Sequence, residues 1–188
     1  MPRYTLSMPN ALRKPWITPE DYLAAERVAE LRHEYVDGEV FAMVGASRRH
    51  NQIAGTLYTA IRQAARHRGC EAYIGDVKVR VEAANAYYYP DVVATCSSGD
   101  DDPCIVRAPT LIVEVLSDST AAVDRREKRA NYQTIPSLRE FVLVAQDERL
   151  VEIYRRRPEG WVADVVTEGD VLLESLDAFL SLDELYAP

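Results

Sequence analysis

The chain has 188 residues, 47% of them hydrophobic, which suits one compact domain with a sizeable core and is too short for two comfortable ones. Thirty acids against 22 bases leave a net charge of −8, so a protein that coats nucleic acid through its whole surface is excluded and only local contacts remain. Nothing approaches the roughly 18 consecutive apolar residues of a membrane span; Cys70, Cys96 and Cys104, odd in number and without a CxxC pair, argue for a reducing cytoplasm and against a zinc ribbon or disulfide framework.

Residues 1–16 carry positive charge with no periodicity and no apolar stretch behind it, so they read as a loose arm rather than a secretory signal, ahead of a single domain over 17–188. Thr18-Pro19-Glu20-Asp21 is a helix start, with Thr18 as N-cap and acids in the first turn, and the helix is predicted to run to about His33. HEYVDGEVFAM then places two short β-prone runs around Asp37-Gly38, a strong hairpin signal. Ser47 caps the next helix, where Ile53, Leu57 and Ile61 recur at i, i+4, i+8 and Gly69 ends the run. It is the clearest amphipathic helix in the chain.

CEAYIGDVKVRVE sets Val77, Val79 and Val81 against Asp76, Lys78 and Arg80, and a turn near Asn85 leads into YYYPDVVATC. SSGDDDPCIVRAP is a surface loop by composition, followed by the apolar strand TLIVEVLS at 110–117, a short Ser117–Thr120 connection and a helix over roughly 121–134. EFVLVA, LVEIYR and WVADVV are three further strands, with turns at Gln146-Asp147 and Pro158-Glu159-Gly160, and Ser181 with Glu184 boxes a last short helix. The order α, ββ, α, βββ, α, βββ predicts a mixed sheet with helices against it, an α/β or α+β domain.

Glu114 is out of place in the apolar strand, because an unpaired carboxylate there costs several kcal/mol or keeps its proton. Asp91, at a strand start after Pro90, is the other misplaced acid. If the two strands pair, both carboxylates point into one cleft, where they repel unless a cation lies between them. A hard divalent ion with oxygen ligands and water fits that need. Glu34, at the junction of the first helix and the hairpin, is a third candidate acid, or an exposed acid at a helix end. Asp124, Lys128 and Tyr132 share a helical face at i, i+4, i+8. Lys128 therefore reads either as a base aimed at a metal-bound water or as half of an ordinary surface pair with Asp124. His33, His50 and His67 have no HxH or HExxH spacing, which leaves a histidine-based metallohydrolase a distant third.

YYPDVVATC followed by APTLIVEVLSDST resembles the PD-(D/E)XK nuclease superfamily, and more closely its bacterial restriction-endonuclease-like family of Uma type, known as a domain of unknown function. HEYVDGEVFAM, RRHNQIAGTL and DRREKRANYQTIPSLREFVLV fit that family in the same order, so the likeness covers about residues 18–157. It implies a restriction-endonuclease-like core, a mixed β-sheet flanked by helices. It also implies Asp91 and Glu114 as ligands of Mg2+ or Mn2+, with Glu34 as an additional acid. The lysine expected two positions after the acid is Leu116 here, which makes Lys128 on the following helix its replacement. Asp76-Val77-Lys78, a literal acid-x-lysine, is the rival placement.

Two functions follow from the resemblance. One is a metal-dependent DNA endonuclease, cytoplasmic and homodimeric, in which Asp91, Glu114, Lys128 and Glu34 form the catalytic group. Arg48, Arg49, His50, Arg125 and Arg129 would then supply local phosphate contacts. The other is a catalytically inactive descendant that binds nucleic acid or protein, favoured by the net charge of −8 and the missing in-line lysine. Taken alone, each basic cluster also reads as a solvated helix face or turn, and His50 and Tyr132 also read as structural residues.

Overall fold

The computed structural model describes residues 16–43, 45–99, 102–117 and 121–187. The arm expected over residues 1–16 lies outside them except for Trp16, and so do residues 118–120 of the short connection. Among the described residues, no helix is long and apolar enough to cross a membrane.

The first helix, α1 (Pro19–Glu26), starts at its Thr18 cap as the sequence predicts but ends well before His33. Beyond Glu26 there is no apolar face to bury: Val28 and Leu31 are 82% and 64% exposed. The Glu26 carboxylate instead accepts hydrogen bonds from the His33 backbone N (2.9 Å) and pairs with its ring Nδ1 (3.0 Å), so the chain turns back into a strand. β1 (His33–Val36) and β2 (Glu39–Ala42) form the expected hairpin, closed by Asp37 at φ 44° and Gly38 at φ 92°. Left-handed values at both central residues are what an Asp-Gly turn supplies. A side chain on Gly38 would also strike Trp16, whose ring lies 2.5 Å from an ideal Cβ there.

The helix α2 (Arg48–His67) buries Ile53, Leu57 and Ile61 with Ala54 and Ala65, and Ser47 Oγ accepts from His50 N at its start. β3 (Glu71–Ile74), β4 (Lys78–Val81), β5 (Ala86–Tyr88) and β6 (Val92–Thr95) correct the expectation of one long strand on each side of Asn85. They are the arms of one bent hairpin: β3 pairs with β6 in one sheet, and β4 pairs with β5 in the other. The bend falls at Gly75–Val77 on one arm and Tyr89–Asp91 on the other, held by Gly75 N donating to Asp91 O (3.0 Å).

After β7 (Ile105–Val106) and β8 (Leu111–Leu116) comes the predicted helix in three pieces: α3 (Ala121–Val123), a π-helical turn over Asp124–Lys128, and α4 (Arg129–Tyr132). β9 (Glu140–Ala145), β10 (Val151–Arg157) and β11 (Gly160–Val166) match the three predicted strands. Sequence reasoning missed the hairpin of β12 (Asp170–Leu173) and β13 (Ala178–Ser181) before α5 (Leu182–Leu185). Its signal was present, since Val171, Leu173, Ala178 and Leu180 alternate with exposed or half-buried neighbours and are all buried.

The strands build a five-stranded sheet, β2-β1-β5-β4-β7, and a six-stranded one, β11-β10-β9-β8-β6-β3. Parallel pairs β4·β7 and β8·β9 among antiparallel ones make both sheets mixed, in an α+β arrangement. One core cluster lies between α2, the β12–β13 hairpin and one face of the six-stranded sheet. A second fills the space between that sheet's other face, the five-stranded sheet and α4. On the outer side of the five-stranded sheet, Tyr22 of α1 packs on Tyr35 and Tyr87. Cys70 and Cys96, flanking the paired strands β3 and β6, form a disulfide, which corrects the expectation of unpaired cysteines; Cys104 is free and exposed.

Candidate active site

Strand alternation places the two acids. Along β8, Leu111, Val113 and Val115 enter the first core cluster, while Ile112 and Leu116 enter the second. Glu114 shares the parity of Ile112 and Leu116, so it points to the second cluster, between the two sheets. On β6, Val93 belongs to that side, and Asp91 is two residues before it. The register Val92↔Val113 carries Asp91 to the position opposite Glu114, and Asp91 Oδ2 accepts from Val115 N at 2.6 Å. The pairing that the sequence left conditional is formed.

Glu114 is 3% exposed. Its Oε1 accepts from the Tyr132 hydroxyl (3.0 Å) and from Lys128 Nζ (3.4 Å). Lys128, itself buried, reaches Glu34 Oε1 at 2.8 Å and Asp124 Oδ1 at 3.4 Å. The Asp124 contact is a charge pairing without hydrogen-bond geometry, since that oxygen has no hydrogen-bond partner. Asp124–Lys128 is therefore a buried pair and not the solvated one that helical spacing also allowed. Glu34 additionally accepts from Tyr89 N (3.3 Å). The Tyr88 ring lies 5.5 Å from Lys128 Nζ, and its hydroxyl donates to Glu127 Oε1 (3.0 Å) and accepts from Asn131 Nδ2 (2.6 Å). The π-helical turn aims Asp124 and Lys128 inward together; wide turns of this kind recur at functional sites.

The electrostatics follow from crowding three acids around one ammonium, with Asp91 as a further acid near Glu114. Burial opposes the charge on Lys128, but Glu114, Glu34 and Asp124 outweigh it and hold the ammonium well above its ordinary pKa. Burial pushes the Glu114 carboxyl well above the usual carboxylate range, and Lys128 offsets this only in part against Asp124, Asp91 and Glu34. A charged lysine beside an acid that still attracts a proton is a cluster short of positive charge. His50 Nε2 lies 2.8 Å from Asp91 Oδ1; this hydrogen bond raises the imidazole pKa, against its burial.

The donor chemistry of Asp91 and Glu114 suits a hard divalent ion that keeps several of its waters. Among the described residues, however, no three His, Cys, Asp or Glu side chains converge as a metal-holding group. Glu34 faces the ammonium.

Comparison with known proteins shows the family and the fold. The sequence model of the family Uma2, described as "Putative restriction endonuclease", matches residues 19–185. The chain belongs to the Uma2 family. Two relatives come from Synechocystis sp.: "Uncharacterized protein slr1290", 33% identical over 175 residues with 92% of each chain covered, and "Uncharacterized protein sll1609", 32% identical with 74% of this chain and 81% of the relative covered. A crystal structure of "a putative nuclease belonging to DUF820" from Anabaena variabilis superposes with a TM-score of 0.73 at 18% identity, over 91% of this chain and 98% of that one. The fold is thus the restriction-endonuclease-like one that the PD stretch implied.

Within this Uma2 chain the cluster gathers Glu34, Asp91, Glu114 and Lys128 from four separate elements. The rival pair does not join them: Asp76 is exposed and pairs with Arg32 (3.5 Å), while Lys78 turns to the Tyr89 hydroxyl (3.1 Å). The basic residues separate too. Arg49 donates to the carbonyls of Ala187 (2.7 Å) and Tyr186 (2.9 Å), clamping the C-terminal segment. Arg125 pairs with Glu152 (2.9 Å), and Arg129 donates to the Tyr154 hydroxyl (2.9 Å), so both brace the helix on β10. Arg48 is exposed beside His50 at the start of α2, with no ion pair among the described residues. Tyr88, Asn131 and Glu127 were missed as neighbours of the site; the run of three tyrosines before Pro90 was the only signal, and it does not say which ring turns inward.

Proposed function

We propose that this chain is a divalent-metal-dependent DNA endonuclease whose centre is Asp91, Glu114 and Lys128, with Glu34 completing the acid set. What carries the reading is the Asp91–Glu114 pair, opposite one another on adjacent strands and short of positive charge even with Lys128 present. Asp91 and Glu114 would hold Mg2+ or Mn2+, which would supply an activated water and charge compensation on the phosphate. The chain's own groups do the rest. Tyr132 fixes Glu114 by donating to it, and His50 and Val115 N fix Asp91. Lys128 keeps a positive charge against the reacting phosphate, and Arg48, exposed in the first turn of α2, is a cation for the flanking backbone. In this reading Arg49, Arg125 and Arg129 bear on DNA mainly by holding their elements in place. A homodimer would bring one site to each strand of a duplex, and the cytoplasm is the compartment a DNA substrate implies; the Cys70–Cys96 disulfide removes cysteine count as a reason for it.

One observation favours a second reading, the catalytically inactive module. Lys128 already binds three carboxylates and would serve as a permanent structural cation. Calorimetric titration of manganese into the wild type and Glu114→Gln separates the two, combined with digestion of single-stranded, duplex and supercoiled DNA. Binding and cleavage that the variant loses support the endonuclease. A wild type that neither binds manganese nor cuts DNA supports the inactive module.

A further inference from the structure

The hairpin β1–β2 carries a large exposed side chain that neither the core nor the acid cluster uses. Phe41 is 47% exposed and sits directly across from Glu34 in the register. Opposed residues of an antiparallel pair project from the same face. Glu34 reaches Lys128 from that face, Val36 packs into the core cluster below it, and Tyr35 leaves by the other face toward Tyr22. Phe41 therefore stands on the site side of the hairpin, one cross-strand spacing from Glu34, on the strand that ends its sheet among the described residues. Met43, two residues on and 38% exposed, continues the same row, because its N donates to Arg32 O (2.9 Å) and prolongs the ladder.

The support beneath Phe41 is fixed. Trp16 packs on Gly38 at the turn, Ile17 N donates to Gly38 O (3.2 Å), and Asp37 N donates to Asn85 O (3.1 Å). The Tyr35 hydroxyl ties the strand to Ile17 O at 3.0 Å. An aromatic ring exposed to water on the face that carries Glu34, on a hairpin whose backbone is tied down, has one chemistry to offer a nucleic acid, a π-face for a base. A base inside a duplex is already stacked on its neighbours and cannot use it.

We propose that Phe41 is a stacking platform for an unpaired nucleobase next to the phosphate in the cleft, and that the substrate is a single strand or an unpaired stretch of DNA. This rests on the nuclease reading of the same cleft. A strand engaged in this way needs one site only, so its recognition does not depend on pairing of two copies.

The test is fluorescence anisotropy of a short labelled DNA strand of mixed sequence, and of its blunt duplex, in calcium buffer. Wild type, Phe41→Ala, Phe41→Leu and Phe41→Trp are compared, with sedimentation velocity on each. The expected result is tighter binding of the single strand, weakened about tenfold by Phe41→Ala and nearly as much by Phe41→Leu, as for loss of one base–aromatic stack. Phe41→Trp should retain binding, and its added indole fluorescence should be quenched by the strand. Equal losses on both DNAs, or preserved single-strand binding in Phe41→Ala, overturn the proposal. So does a change confined to sedimentation, which would give the ring to contact with a second copy. Binding of both DNAs that is indifferent to Phe41 removes the stacking platform and leaves the nuclease reading standing, whereas no binding of either DNA by any form removes both.

Discussion

Replacing Lys128 by methionine keeps most of the side chain's length and removes its ammonium. In the wild type that ammonium lies 2.8 Å from Glu34 and 3.4 Å from Glu114 and Asp124. Removing one partner from a buried ion pair costs about 3–5 kcal/mol, because the other charge stays desolvated. Two features of the site set the value at the lower end. Glu34 retains some solvent contact, with its side chain 16% exposed, and Glu114 keeps the Tyr132 hydroxyl and can take up a proton. Glu114 and Asp124, 3% and 2% exposed, carry the remainder. A loss of about 3 kcal/mol, with a urea slope of about 2 kcal/mol/M, lowers the unfolding midpoint by about 1.5 M. Circular dichroism across a urea series measures it. Adding Glu114→Gln should return at least about 1 kcal/mol, since the double variant buries one charge fewer. A loss under about 1 kcal/mol, or strictly additive single losses, would refute the argument that the acids depend on this ammonium.

Further expectations concern the elements around the site. Ser47→Ala removes the cap of α2, where Oγ accepts from His50 N (3.0 Å), and should destabilise by about 1 kcal/mol in the same urea assay. Glu140→Ala removes the buried partner of Arg155 Nε (3.0 Å), leaving that side chain Asp164 and Glu174, and unpairs the backbone donors of Glu174 (3.0 Å) and Ser175 (2.7 Å). It should cost about 3–5 kcal/mol, a size shared with Lys128→Met but with no change in manganese binding by calorimetry. Alkylation of the unreduced, denatured protein should label Cys104 alone by mass spectrometry, with Cys70 and Cys96 labelled only after reduction. Labelling of all three without reduction would contradict the pairing.

Much of this was legible wherever a single local pattern decided the outcome. The 3.6-residue repeat of Ile53, Leu57 and Ile61 fixes the buried face of α2, because every neighbour on that face is also apolar or small. Asp37-Gly38 determines the hairpin because few dipeptides accept two left-handed residues in succession. Glu114 in an apolar strand announces a site because an acid persists there only with a partner. Asp91 after Pro90 comes to lie opposite it once the strands pair, while the partners that hold Glu114 are Lys128 and Tyr132.

What local pattern could not decide was where the chain changes sheet and which groups each charge meets. CEAYIGDVKVRVE alternates like one strand, yet Gly75 to Val77 bends it from one sheet into the other, since only the assembled layers fix where the bend falls. Arg49, Arg125 and Arg129 look alike as basic residues near a site, but their partners are 137, 27 and 25 residues away in sequence, at Tyr186, Glu152 and Tyr154. Cys70 and Cys96 pair because β3 and β6 lie side by side, which no count of cysteines reveals. Lys128 is the sharpest case. Helical spacing put it on a face with Asp124 and Tyr132, but only the packing of the β1–β2 hairpin brought Glu34 to within 2.8 Å of it. The sequence by itself determined which residues could do chemistry, because residue type and local periodicity are local properties. Tertiary structure decided which of them meet, because burial and charge depend on neighbours that the chain brings together only when folded.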